Sequence, residues 1–150
     1  MITPEMLAEF DLFRDVPKDI LNEISGICET ARVEKDNFVF REGDTADKLH
    51  LIISGSIALR VNLTSRPDFV TVSFINTPRQ ALGWSGVVTQ SHYTASAYCE
   101  EDVELVSFPS NKFMEILDRH PEAGYRVMLR ITHIISDRLR NSRQALLKTL

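Results

Sequence analysis

Side chains capable of chemistry are few in this sequence and stand apart from one another. Ser85 has the most suggestive setting, Gly83-Trp84-Ser85-Gly86, yet a strand-to-helix nucleophile turn requires Gly-x-Ser-x-Gly and position 87 is Val87. His92 has Ser91 and Ser96 close by in sequence, but no third group is at hand to orient its imidazole. His50, His92, His120 and His133 share no i, i+3 or i, i+4 spacing, so neither a metal nor a haem site is expected. Cys28 and Cys99 fall into no metal-type or redox-type spacing and are expected as buried, reduced thiols. With no P-loop and no His-Glu-x-x-His run, no residue is assigned a catalytic role.

The elements that would position these residues follow from periodicity. Met6, Leu7, Phe10 and Phe13, then Ile20, Leu21, Ile24 and Ile27, recur at helical spacing and predict two short helices within residues 1–28. From Glu29 the texture changes to short runs of Val, Ile, Phe and Thr broken by Lys35-Asp36-Asn37, Glu42-Gly43-Asp44 and Ser54-Gly55. Strands are predicted at Phe38 to Arg41, Leu49 to Ile53, Ser56 to Asn62, Val70 to Ile75, Thr94 to Cys99 and Val103 to Phe108. No long helix separates them, so the sheet over residues 29–108 is expected to be antiparallel, as a sandwich or barrel. Ser110 reads as the N-cap of a short helix over 110–120, and Pro121 opens a longer one over 121–148. Along that helix Val127, Ile131, Ile134, Ile135 and Leu139 form an apolar arc wide enough to cover a core on one edge and meet a second copy of the chain on the other.

A chain of 150 residues that is 43% hydrophobic can bury one good core, and one domain over 1–150 is expected. Its net charge of -4 is uneven: Arg126 to Leu150 carries six Arg or Lys and one Asp. A solvated helix face, with Arg138, Arg140, Arg143 and Lys148 favoured by the macrodipole, accounts for that segment. The acidic remainder argues against nucleic-acid binding. No apolar window reaches the ~18 residues a membrane span requires, and residues 1–5 carry no targeting pattern, so a cytoplasmic location is expected.

Two stretches carry a family likeness. Phe40-Arg41-Glu42-Gly43-Asp44, followed by Asp47, Leu49, Leu51, Ile52 and Gly55-Ser56, reads as strand, acidic-glycine turn, strand and glycine-hinged hairpin, and Glu101-Asp102-Val103-Glu104-Leu105 with Phe108 as a strand entering closing helices. Together with the helix, strand and helix order, these resemble the cyclic-nucleotide-binding domains of the catabolite-activator type. The resemblance implies a mainly β fold with flanking helices: an antiparallel double-stranded β-helix, or jelly-roll barrel, two short N-terminal helices, a short helix and a long C-terminal helix. It also implies a phosphate-binding cassette at Ala81-Leu82-Gly83-Trp84-Ser85-Gly86-Val87-Val88, continuing through Tyr93, Thr94 and Ala95.

Two positions depart from that cassette. Where the family has a Glu for the ribose hydroxyl, this chain has Trp84, and where it has an Arg for the cyclic phosphate, it has Tyr93. A phosphate entering an apolar pocket must exchange water for charged or backbone donors, so losing both anchors weighs against cyclic AMP and cyclic GMP. Gly83, Ser85, Gly86, Tyr93, Thr94 and Ala95 still offer backbone N–H groups and hydroxyls, and Arg79 or Arg130 are candidate substitute cations. The expected role is a non-catalytic sensor taking a small anionic or nucleotide-like effector and signalling through the long helix as a homodimer. The alternative is a degenerate, ligand-free module for homodimerisation or partner docking. In the resembled transcription factors a helix-turn-helix domain follows the long helix; Leu150 leaves no room for one, so a stand-alone sensor, an adaptor, or the regulatory half of something longer is expected.

Overall fold

The computed structural model describes residues 1–76, 80–89 and 91–150. Its elements are α1 (Pro4–Leu7), a 3-10 turn (Asp11–Phe13), α2 (Lys18–Ser25), β1 (Glu29–Val33), β2 (Phe38–Phe40), β3 (Lys48–Ser54), β4 (Ile57–Asn62), β5 (Phe69–Ile75), β6 (Ala81–Leu82), α3 (Ser85–Val88), β7 (Ser96–Cys99), β8 (Val103–Pro109), α4 (Ser110–Arg119) and α5 (Pro121–Leu147). All described strand pairs are antiparallel and form two four-stranded sheets, β1-β8-β3-β6 and β2-β7-β4-β5. The predicted jelly-roll layout is present, with the sheets stacked as a sandwich and not joined into a closed barrel.

Period-two alternation in the two central strands sorts the core into two compartments. Leu49 and Leu51 of β3, with Val106 and Phe108 of β8, face the helices, where they meet Leu12, Phe13, Phe113, Val127 and Ile131. Ile52, Val103 and Leu105 face the second sheet, against Ile57, Leu59, Ile75 and Ala97. A strand covered on both faces is buried residue after residue, as Leu49 to Ile52 in the middle of β3 are. Phe13 stands at the helical hub, with ring centroids 6.3 Å from Phe108 and 6.0 Å from Phe113. Burying each such ring contributes roughly 1.5–3 kcal/mol.

The glycine turns behave as the sequence implied: Gly43 and Gly55 have φ of 91° and 101°. At Gly55 a side chain is also excluded by packing, since a Cβ there would lie 2.5 Å from the Asp102 carbonyl oxygen. Ser110 corrects its reading as an N-cap: it is the first residue of α4, Pro109 is the cap, and the Ser110 hydroxyl is buried without capping the helix. The first helical stretch is shorter than its periodicity suggested, because Phe10 is extended and breaks it into α1 and the 3-10 turn.

The long helix corrects the sequence reading further. Val127 and Ile131 are 0% and 2% exposed, locked into the chain's own core, and Ile134 and Ile135 pack partly against it. Only Leu139 of the proposed pairing set is exposed, and it shares the outer side of α5 with the exposed Tyr125, Leu129 and Leu146. The inward edge lies along β5, which among the described residues pairs only with β4 and so forms an edge of its sheet; Asn141 donates to Ser73 at 3.4 Å.

Candidate functional site

The cassette is assembled between β6 and β7. After Leu82 the chain turns at Gly83 and enters α3, where Val87 N–H and Val88 N–H both donate to the Trp84 carbonyl. Gly86 presses this helix against the neighbouring loop: a Cβ there would lie 2.3 Å from the Ala46 carbonyl oxygen and 2.4 Å from Ser110 Oγ. The other wall is a short antiparallel pairing in which Gly43 N–H donates to the Tyr93 carbonyl, Tyr93 N–H to Asp44, and Ala46 N–H to Ser91, each at 2.9 Å. Tyr93 is therefore clamped on both backbone sides, and its side chain has one direction to take, inward.

Inside, Tyr93 is 5% exposed and lies flat on Phe40, with centroids 3.8 Å apart and planes 13° apart. Phe40 in turn stacks on His50 at 5.7 Å and 26°. The Tyr93 hydroxyl donates to the Lys48 carbonyl at 2.7 Å and accepts from Lys48 N–H at 3.3 Å. Burial pushes this phenol up to about 12. His50 Nδ1 shares a 2.7 Å hydrogen bond with Ser107 Oγ, and burial, aided by the Lys48 charge, holds the imidazole down at about 4, so it is neutral at pH 7.

Three stacked rings thus fill the space that the cassette encloses, and the residual cavity bounded by Gly83, Trp84, Ser85, Tyr93, Thr94 and Ala95 is about 40 Å³. That is room for a water molecule or two, against the ~300 Å³ lower end of small-molecule sites. Ser85 and Gly86 are buried, Trp84 is half-buried, and Thr94 is exposed at the rim.

A cation does reach this cavity, from a place the sequence reading assigned to solvent. Arg138 of α5 turns inward, donates from Nη2 to the Ala81 carbonyl at 2.6 Å, and sets its guanidinium 4.6 Å from the centre of the Trp84 ring. Burial lowers its pKa to about 10, which leaves it charged at pH 7. Of the two substitutes weighed from sequence, Arg130 points instead toward Asp15 at 3.6 Å, and Arg79 lies outside the described residues. The signal for Arg138 was its helical register: it follows Ile131, Ile134 and Ile135 on the arc that covers the core.

The remaining chemical candidates stay apart. Ser91 Oγ and His92 Nδ1 lie 3.2 Å apart, both exposed, and no carboxylate orients His92 among the described residues. Ser96 Oγ accepts from Glu42 N–H at 2.8 Å. No three His, Cys, Asp or Glu side chains converge to hold a metal among the described residues. Cys28 and Cys99 are free thiols, pushed by burial to about 12 and about 11. No described helix is long and apolar enough to cross a membrane.

Two stacked antiparallel sheets, closed by helices and carrying a glycine-flanked strand-turn-helix between β6 and β7, define a jelly-roll module of the regulatory class. The family model "Cyclic nucleotide-binding domain" matches residues 30–120. The chain belongs to the cyclic nucleotide-binding domain family. It is similar to a putative cyclic nucleotide-binding protein of Geobacter metallireducens, at TM-score 0.80 and 25% identity over 93% of this chain and 99% of that one. Among curated proteins it is 26% identical to glutaminase 1 of Bradyrhizobium diazoefficiens over 89% of this chain and 21% of that protein. It is also 26% identical to lysophospholipase nte1 of Neurospora crassa over 81% of this chain and 8% of that protein. The chain therefore spans about a fifth or less of the length of these two relatives.

Proposed function

We propose that the chain is a non-catalytic regulatory domain that keeps the family's frame while its cassette is closed to cyclic nucleotides, with α5 as its output element. The observation that carries this reading is the flat Tyr93–Phe40 contact at 3.8 Å, which leaves a cavity of about 40 Å³ where a nucleotide would need several hundred. Electrostatics agree with sterics: a phosphate placed there would meet Tyr93, whose hydroxyl is already committed to Lys48, and a guanidinium engaged with Ala81 and Trp84. An effector in the cassette pocket, the role first inferred from sequence, is correspondingly less well supported than a module that couples through surfaces.

Coupling runs through Arg138. A cation over an indole contributes roughly 0.5–2 kcal/mol and a hydrogen bond from a charged donor about 1.5–3 kcal/mol, so a rearrangement of Trp84 or Ala81 changes the seating of α5. The exposed side of α5, with Tyr125, Leu129, Leu139 and Leu146, is the surface on which a second copy or a partner helix would read that change. The large catalytic relatives are consistent with a regulatory segment appended to an enzyme. Calorimetric titration with cyclic AMP and cyclic GMP tests the closed cassette. We expect no binding heat at millimolar nucleotide, and micromolar binding by either would overturn the reading.

A further inference from the structure

Arg138 borders a second, much larger space. A groove of about 650 Å³ runs between α5 and β5/β6, within the size range of small-molecule sites, and its lining includes Phe74, Leu129 and Ile134 beside Gln80, Arg130 and Arg138. The acids that line it are already neutralised: Asp11 pairs with Arg14, and Asp137 lies 2.6 Å from Arg140 and 3.6 Å from His133. Arg138 has no such counter-ion among the described residues. Its Nη2 is bonded to a neutral carbonyl, and its Nη1 is buried with no partner among the described residues.

Arg130 is similarly under-served, with Nη2 at 3.6 Å from Asp15 and Nη1 buried and unpartnered among the described residues. Gln80 Oε1 is a third buried polar atom without a partner there. Desolvating a guanidinium without a carboxylate is costly, and each unmade buried hydrogen bond adds to the cost. The two guanidiniums, lining one groove beside apolar side chains, describe a site whose complement is missing: an anionic head to satisfy the cations and an apolar body to cover Phe74, Leu129 and Ile134.

We propose that this groove binds a small organic anion, an apolar body bearing one carboxylate or phosphate group, with Arg138 holding the head and Arg130, two helical turns away, supplying a second cation. Binding draws the Arg138 guanidinium from the Trp84 face, so occupancy of the groove is transmitted to the cassette wall. The site is separate from the cassette cavity and does not depend on whether that cavity admits a nucleotide.

The single tryptophan of the chain reports directly on this event. Octanoate and octyl phosphate are titrated into the full chain by Trp84 fluorescence and by calorimetry, with octanol as the uncharged control. At least one anion should bind and shift the Trp84 emission, and octanol should bind at least about tenfold more weakly. In calorimetry, Arg138→Gln should weaken the anion about tenfold or more, Arg138→Lys should retain most of the affinity, Arg130→Gln should cost a few-fold, and Arg143→Gln, exposed and outside the groove lining, should change nothing. Octanol binding as tightly as both anions, neither anion binding at millimolar concentration, or Arg138→Gln leaving affinity unchanged would each overturn the proposal. Should Arg138→Gln fail to fold, Arg130→Gln and the octanol comparison decide it. Any cyclic-nucleotide heat that octanoate does not displace belongs to the cassette, which keeps the two tests independent.

Discussion

Acid should destabilise the folded protein through the ring stack, and His50 sets the pH range in which it does so. The imidazole is buried against Phe40 and bonded to Ser107, and its pKa falls from 6.5 to about 4 because burial penalises the charged ring. In the unfolded chain the same group takes its proton near 6.5, so between pH 6.5 and 4 the unfolded state binds more protons and stability falls as pH falls. The contribution is complete above about pH 7. Lowering the pH to 5 removes about 2 kcal/mol, and the full difference between the folded and unfolded pKa sets a limit of about 3 kcal/mol. The assay is urea denaturation followed by Trp84 emission at pH 7.5 and pH 5, on the wild type and on His50→Asn, whose amide can still meet Ser107. The variant starts less stable, having lost a ring from the stack, but its loss between the two pH values should be smaller than the wild type's by about 2 kcal/mol. Equal losses in the two proteins would refute the assignment of a buried, neutral His50.

The packing around the cassette and the long helix gives two further expectations. Gly86→Ala places a Cβ 2.3 Å from a backbone oxygen and 2.4 Å from Ser110 Oγ, so it should destabilise by about 1–3 kcal/mol and lower Tm; an unchanged Tm would mean the loop yields freely. Ile131→Asp should unfold the chain, since Ile131 is 2% exposed, whereas Leu139→Asp, at 67% exposure, should shift stability by no more than about 0.5 kcal/mol while lowering the sedimentation mass of any dimer. A folded Ile131→Asp protein would contradict the core assignment.

The frame was legible in the sequence because its signals are local. Pro121 and the unbroken helical periodicity give α5 its bounds, and the alternation in Leu49 to Ile52 and Val103 to Phe108 marks the doubly covered strands. β1 was missed because Glu-Thr-Ala-Arg-Val carries almost no apolar pattern: it is an exposed edge whose pairing with β8 supplies the order, reinforced by the 2.8 Å Arg32–Asp102 ion pair. β6, of two residues, is too short to leave a pattern. The site was half legible. Trp84 and Tyr93 stood out as departures at anchor positions, yet that Tyr93 would lie on Phe40 and reach Lys48 depends on contacts 53 and 45 residues away, which periodicity does not encode. The type of Arg138 suggests a surface charge, while its position on the inward arc of α5 places it against Ala81 and Trp84.

The placement of α5 along β5 limits how this module can move. Among the described residues β5 has a hydrogen-bonded strand neighbour on one side only, and Val70 to Phe74 lie beside Asn141, Gln144 and Ala145 of the helix. A helix that swung fully away to signal would uncover a seven-residue strand edge able to recruit an extended segment from another molecule. Sliding or rotation of α5 in its seat would avoid that hazard, so the helix that guards the sheet edge is also limited in how far it can travel.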